Sequence, residues 1–284
     1  MPPERLGILG TGLIGSSIGL RARTLGFHVS GADVLPERAE RARARGALDA
    51  VIADPAALAA AVDTLVVALP LDATCAYLAN FPRVRSRGRP RLVLDVASLK
   101  LPVAVAAAGI PGFVATHPIA GSEASGPDAA RADLFAGRVW ALVPDGDAAA
   151  FGSARAFVER LGARVLTIDA AEHDRILAFT SHVPQVLAVA LGAELRERHG
   201  EGALEALCGP GIRSMTRLGG SSWAMWEPLL AAAAPQVAQE VRRLIAILSD
   251  VALALDAGDL AHVAGRFEAA AAAVADLRSN EGPP

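Results

Sequence analysis

The run Leu6-Gly7-Ile8-Leu9 passes directly into Gly10-Thr11-Gly12-Leu13-Ile14-Gly15, and a helical pattern continues to about Leu25, where Gly26 closes it. No other stretch restricts the fold of this chain so strongly. The spacing Gly10-x-Gly12-x-x-Gly15 lies between a strand and a helix, the setting in which a glycine triplet binds a dinucleotide. Gly10 permits the tight turn, Gly12 lets the backbone approach a pyrophosphate, and Gly15 lets helix and strand pack closely. The helix N-terminus at Leu13 and Ile14 then offers free N–H groups and a positive dipole end to the phosphates. The following strand, 27–32, ends at Asp33. A carboxylate there accepts hydrogen bonds from the adenosine ribose hydroxyls, which favours NAD, whereas NADP brings a phosphate against it. Val34 follows and supplies no cation. Arg38, a turn further on, reads as part of a solvated helix face.

The alternation of strand and helix continues. Apolar strands are predicted at 64–69, ending at Pro70, at 92–96, leading into Ala97-Ser98-Leu99-Lys100, and at 112–116, 139–143 and 164–168. Helices are predicted at 36–45 and 148–161. This pattern predicts a mostly parallel sheet covered on both faces. After Asp169 the signals are helical throughout. A long helix at 170–199 carries Pro184 as a kink, a short one follows at 202–207, one at 226–257 is interrupted near Pro235, and the last spans 259–278. The expected fold is therefore α/β, with a Rossmann-type dinucleotide-binding domain at 1–168 and an all-helical domain at 169–284. Val237, Val241, Leu244, Leu248, Val251 and Leu255 step by four and three, a stripe suited to another helix in the same chain or in a second copy.

Composition narrows the partners. Hydrophobic residues form 52% and charged residues 20% of the chain, enough for a sizeable core. Only 4% are aromatic and the net charge is −3, so neither stacking platforms nor a basic surface for nucleic acid are expected. Cys75 and Cys208 lie far apart and suggest neither a disulfide framework nor a metal site, which suits a reducing cytoplasm. The uncharged runs 101–122 and 176–193 are broken by prolines or polar residues, so neither is expected to span a membrane. No signal peptide is visible ahead of the first strand.

Ligands of an open parallel sheet bind outside the carboxyl ends of its strands. Ala115-Thr116-His117-Pro118-Ile119-Ala120-Gly121-Ser122-Glu123 is expected there, with Pro118 holding His117 extended at the exit of the strand 112–116. Pro70-Leu71-Asp72 and Ala97 to Lys100 join it. The helical half adds His173-Asp174, Ser181-His182-Val183-Pro184-Gln185, and the run Gly209 to Arg217. Arg213 and Arg217, four residues apart beside a glycine-rich bend, read as a cationic clamp for a carboxylate.

The ordered set GILGTGLIGSSIGL, LVLDVASLK, ATHPIAGSEASG, HDRILAFTSHVPQ and GPGIRSMTRLGGSSWAMW resembles the prephenate/arogenate dehydrogenase family of tyrosine biosynthesis over nearly the whole chain. The resemblance implies NAD-dependent oxidative decarboxylation of prephenate to 4-hydroxyphenylpyruvate, or of arogenate to tyrosine, by a cytoplasmic homodimer paired through its helical domain. It implies His117 as the group bonded to the substrate hydroxyl and Ser98 as the serine that orients it. It also implies Arg217 at a substrate carboxylate, Glu123 at the pocket entrance and Trp226 near the site, with His173 and His182 in structural roles. The glycine run implies a cofactor site at Gly10, Gly12, Leu13, Ile14, Gly15, Asp33 and Pro70.

Three residues depart from the family pattern. Ala97 replaces a common glycine. Ser214 replaces an aspartate that would pair with the arginines. Gln185 replaces a histidine in the region touching the substrate side chain. Glutamine serves either a ketone or an ammonium, and the lean to prephenate rests on the absence of a carboxylate there. Two other functions are considered. A β-hydroxyacid dehydrogenase needs a lysine on the helical domain, and no lysine follows Lys100. A catalytically silent NAD-binding regulator would not need His117, Ser98 and Arg217 together.

Overall fold

The computed structural model describes residues 3–84, 90–121, 124–144 and 147–280. Six strands form the main sheet: β1 (Arg5–Leu9), β2 (His28–Ala32), β3 (Ala50–Val51), β4 (Thr64–Val67), β5 (Leu92–Asp95) and β6 (Phe113–Val114). All pair in parallel, in the order β3-β2-β1-β4-β5-β6. This is a doubly wound nucleotide-binding sheet whose order reverses between β1 and β4. The strands are apolar on both faces because both faces are covered. Leu6 and Ile8 of β1, Val66 of β4, and Leu92 and Leu94 of β5 enter one core. Leu9, Leu65, Val67 and Val93 enter the other. The alternation follows the two-residue period of a strand.

The strand predicted at 112–116 is in fact two. Beyond Val114 the ladder with β5 stops, because the Asp95 side chain intercepts the next donor: Thr116 N–H bonds Asp95 Oδ1 at 2.8 Å. The chain leaves at Ala115 and enters a second sheet made of β7 (Thr116–Pro118), β8 (Val139–Leu142) and β9 (Arg164–Thr167). There β7 runs antiparallel to β8, with His117 opposite Ala141, and β8 runs parallel to β9. His117 thus lies within a strand rather than just past one.

After Asp169 the chain is helical. Ala170–Leu177 and Val183–Glu197 are joined by a π-helical turn, Ala178–His182. The irregularity expected at Pro184 falls in this turn. Pro184 has no N–H to donate backward, and the wider turn just before it absorbs that loss. By length and composition alone the stretch Ala170–Glu197 is long and apolar enough to cross a bilayer, with mean hydropathy 1.6. Its inward side buries Ala178, His182, Val183, Gln185 and Ala188.

Helices Leu204–Leu207 and Pro210–Thr216 and a 3-10 turn, Arg217–Gly220, come next. Trp223–Asp256 then forms one helix of 34 residues with Pro228 and Pro235 inside it. The interruption expected near Pro235 is absent. Each proline removes a single N–H bond, and burial of Ala233 and Val237 carries the helix through. Leu260–Asn280 is the last helix.

Candidate active site

The glycine turn is built as its spacing implies. Gly10 sits at φ +97°, where a Cβ would come within 2.3 Å of the Ala68 carbonyl oxygen. A Cβ on Gly15 would come within 2.0 Å of the Gly10 carbonyl oxygen. Gly12 differs, for nothing in the protein lies within 4 Å of where its Cβ would be. Packing therefore explains the outer glycines, while Gly12 borders an open side. Leu13 and Ile14 open the helix Leu13–Thr24.

Asp33 follows β2, and its side chain is only 3% exposed. Oδ2 accepts from Thr11 N at 2.8 Å and from Thr11 Oγ1 at 3.0 Å, and Oδ1 accepts from Leu35 N at 3.0 Å. These bonds fix the carboxylate at the carboxyl end of β2. Arg38 is not on a purely solvated face, since its Nη1 lies 3.5 Å from Asp33 Oδ1. The turn that separates them in sequence brings them together in space.

On the other side of the switch point, Pro70 follows β4 and Ser98 follows β5. His117 stands in β7, beside the carboxyl end of β5. Strand alternation buries Thr116 and Pro118 and leaves the His117 ring partly exposed. Thr116 Oγ1 accepts from Trp140 Nε1 at 2.9 Å, which anchors β7 on the fully buried indole. His117 Nδ1 lies 3.0 Å from His173 Nε2. His173 Nδ1 in turn lies 2.8 Å from Asp174 Oδ1. Burial, then the Lys100 ammonium and the neighbouring His173 and His182, hold the His117 imidazolium well below the usual histidine range. The ring is a neutral base at physiological pH.

Beneath this ring lies Lys100, the only lysine in the chain, fully buried. Its ammonium pairs with the Asp95 carboxylate and donates to the Thr116 carbonyl oxygen. Asp95 also accepts from Ala97 N at 2.9 Å. Burial pushes the Asp95 carboxyl up and the Lys100 ammonium down, and their mutual attraction opposes both shifts. Sequence reasoning quoted the motifs holding Asp95, Lys100, His173 and Asp174 but gave the first two and the last no role and His173 only a structural one. An acid five residues ahead of a solitary lysine was the signal available.

The remaining expected residues divide. Ser98 is partly exposed, and the hydrogen-bond partner of His117 is His173 rather than Ser98. Gln185 is 4% exposed; its Nε2 donates to the Leu218 carbonyl at 2.8 Å and its Oε1 accepts from Ser221 Oγ at 3.4 Å. The amide is committed to the turn that carries Arg217. Arg217 opens that turn on an exposed surface, while Arg213 Nε donates to the Cys208 carbonyl at 2.9 Å. Trp226 packs edge-on against His182, with ring centroids 5.7 Å apart. Its Nε1 and His182 Nδ1 are buried without a hydrogen-bond partner. Glu123 lies outside the described residues. Among the described residues no group of three or more His, Cys, Asp or Glu side chains is arranged to hold a metal.

Both halves of the chain resemble known proteins. Residues 18–167 match the family model described as prephenate dehydrogenase, nucleotide-binding domain, and residues 169–267 match prephenate dehydrogenase, dimerization domain. The probable prephenate dehydrogenase NovF of Streptomyces niveus is 37% identical over 243 residues, covering 84% of this chain; the chain spans 65% of the length of that relative. A cyclohexadienyl dehydrogenase of Zymomonas mobilis is 28% identical over 266 residues, covering 90% of each chain. The prephenate dehydrogenase of A. aeolicus, solved in complex with hydroxyphenyl propionate and NAD+, superposes with a TM-score of 0.88 at 20% identity, covering 98% of this chain and 99% of that one.

Proposed function

Since the chain belongs to the prephenate dehydrogenase family, we propose that it oxidatively decarboxylates prephenate to 4-hydroxyphenylpyruvate with NAD. Residues 1–168 bind the cofactor, and residues 169–284 supply the substrate clamp and the pairing surface of a homodimer. The two unpaired cysteines, Cys75 and Cys208, suit a cytoplasmic enzyme.

The observation that carries this reading is His117, a partly exposed imidazole held neutral, with one ring nitrogen committed to His173 and the other left for a ligand. It stands on the β4–β5 side of the switch point, where the nicotinamide half of a dinucleotide lies when its adenosine half is at Asp33. Bound NAD supplies the hydride acceptor. His117 takes the proton of the ring hydroxyl as the C–H bond on the same carbon breaks and a carbonyl forms, a contribution of about 10²–10⁴-fold. The ring carboxylate then leaves as carbon dioxide, its bonding electrons enter the ring, and His117 returns the proton to the phenolate oxygen. Prephenate and NAD+ give 4-hydroxyphenylpyruvate, carbon dioxide and NADH, with no net proton released. Arg217 holds a substrate carboxylate.

Gln185 carries no charge, and its amide is engaged by the 217–220 turn. It offers no carboxylate to attract the ammonium of arogenate, which favours prephenate. Steady-state rates with prephenate and with arogenate, each with NAD and NADP, test the proposal. The highest kcat/KM is expected for prephenate with NAD. A clear arogenate preference would overturn the substrate, and no turnover of either would overturn the activity.

A further inference from the structure

We propose that Asp174 and His173 are positioning residues that set the ring tautomer of His117, making Nε2 the proton acceptor. The role in turnover rests on the function proposed above; the tautomer itself rests on geometry alone. Asp174, His173 and His117 form a single line, with contacts of 2.8 Å and 3.0 Å. Each Asp174 oxygen already accepts a backbone N–H, Oδ1 from Lys100 at 2.7 Å and Oδ2 from Leu101 at 2.9 Å. A carboxylate accepting on both oxygens has no proton to pass along the line, so His173 Nδ1 carries the hydrogen of its bond to Asp174.

A neutral imidazole has one N–H and one lone pair. With its hydrogen on Nδ1, His173 turns a lone pair toward His117. Two lone pairs facing each other at 3.0 Å repel, so His117 Nδ1 must be the donor of that bond. The lone pair of His117 is then on Nε2, the nitrogen left for substrate. The buried Lys100 ammonium stands close enough to the line to act on the His117 charge. When Nε2 takes the substrate proton, the imidazolium keeps its Nδ1–H on a lone pair that is itself backed by a carboxylate. Orientation and cation stabilisation of this kind are what a carboxylate provides to a catalytic histidine elsewhere. Because the proton returns to the substrate oxygen, the line does not have to conduct it to solvent. A fixed tautomer is sufficient.

The test needs no turnover. The chain has 6 histidines, so two-bond 1H–15N correlation spectra of 15N-histidine-labelled protein are tractable, with His117→Asn identifying the His117 signals. The expected pattern for His117 is a protonated Nδ1 and a bare Nε2. A protonated Nε2, or an averaged pattern, overturns the proposal even if the enzyme is active. Conversely, an inactive protein with the expected pattern overturns the function and leaves the tautomer standing. His173→Gln is the second arm. Its amide bonds either tautomer of His117, so the fixed pattern is expected to give way to a mixture. The kcat is expected to fall about 10- to 100-fold, the scale of lost outer partners of a functional histidine, with KM within about twofold. An unchanged kcat, or a KM rise alone, refutes the positioning role.

Discussion

His117 combines two residue-level effects that act in the same direction. Burial and the Lys100 charge disfavour its cationic form, and His173 holds its orientation. A base with a depressed pKa stays competent as the medium becomes acid. The groups acting on it are Lys100, beyond the end of β5, His173 from the helix Ala170–Leu177, and His182 from the π-turn. The acid limb of kcat/KM, which reports the free enzyme, is therefore expected below 6.5, the ordinary histidine value. A limb at or above that value would show that the neutral reading of His117 is wrong. The same depression has a sign in stability. Below pH 6.5 the unfolded chain binds a proton at this position before the folded one does, so stability is lost as the pH falls through that window. Little of this was legible in the sequence. The histidine and its proline could be singled out, and Lys100 and His173-Asp174 could be placed at the same edge, but with His173 56 positions away and Asp174 57 no spacing rule gives the contacts between them.

Among the elements, what was legible and what was not follow one division. β1, β4 and β5 are short apolar runs ended by turn residues, and their local signals match their tertiary setting. The glycine turn is likewise a local object. The joints between elements were not legible. The break at Ala115 depends on a carboxylate 21 residues back capturing the Thr116 N–H. The persistence of the helix through Pro235 depends on where Ala233 and Val237 are buried. Arg38 meets Asp33 only because the helix Pro36–Ala44 turns back over β2. The Asp95–Lys100 pair is the joint between the two sheets, tying the end of β5 to the Thr116 carbonyl at the start of β7. Lys100→Met leaves the Asp95 carboxylate buried and unpaired. Removing one partner of a buried pair is expected to lower stability by about 3–5 kcal/mol. An uncompensated Asp95 gains a proton more readily than in the unfolded chain, so the loss deepens as pH rises. Thermal melts at pH 5 and pH 8 check this. The Asp95→Asn/Lys100→Met double variant is expected to recover part of the loss, and equal stability of Lys100→Met and wild type would show that the pair ties nothing together.

At the scale of the whole molecule, the two halves are finished to different degrees. With Ala170, Ala178, Ala233 and Val237 of the helical half completing one of its two cores, the nucleotide-binding half buries its apolar faces. The helical half does not. The stripe along Trp223–Asp256 begins as a core face, with Val237 6% exposed and Val241 packed against the core. It ends bare, with Leu248 at 61% and Leu255 at 54%, and Phe267 on the last helix is 74% exposed. Apolar patches of this extent mark an association surface, and this half matches a dimerization domain. In the proposed homodimer the unfinished end of the stripe would meet a second copy, and pairing would then contribute part of the stability of the helical half. Leu248→Glu with Leu255→Glu places two like charges on each side of a self-complementary interface. Light scattering is expected to give twice the 29.1 kDa chain mass for the wild type and a single chain mass for the variant. Because the glycine turn packs through Leu13 and Ile14 on the core made only of nucleotide-binding residues, NAD affinity is expected to stay within about twofold, while the KM for the substrate rises as the helices carrying Gln185 and Arg217 loosen. A variant that remains dimeric would place the pairing surface elsewhere. One that loses NAD binding together with substrate binding would show that the two halves stand or fall as a single unit.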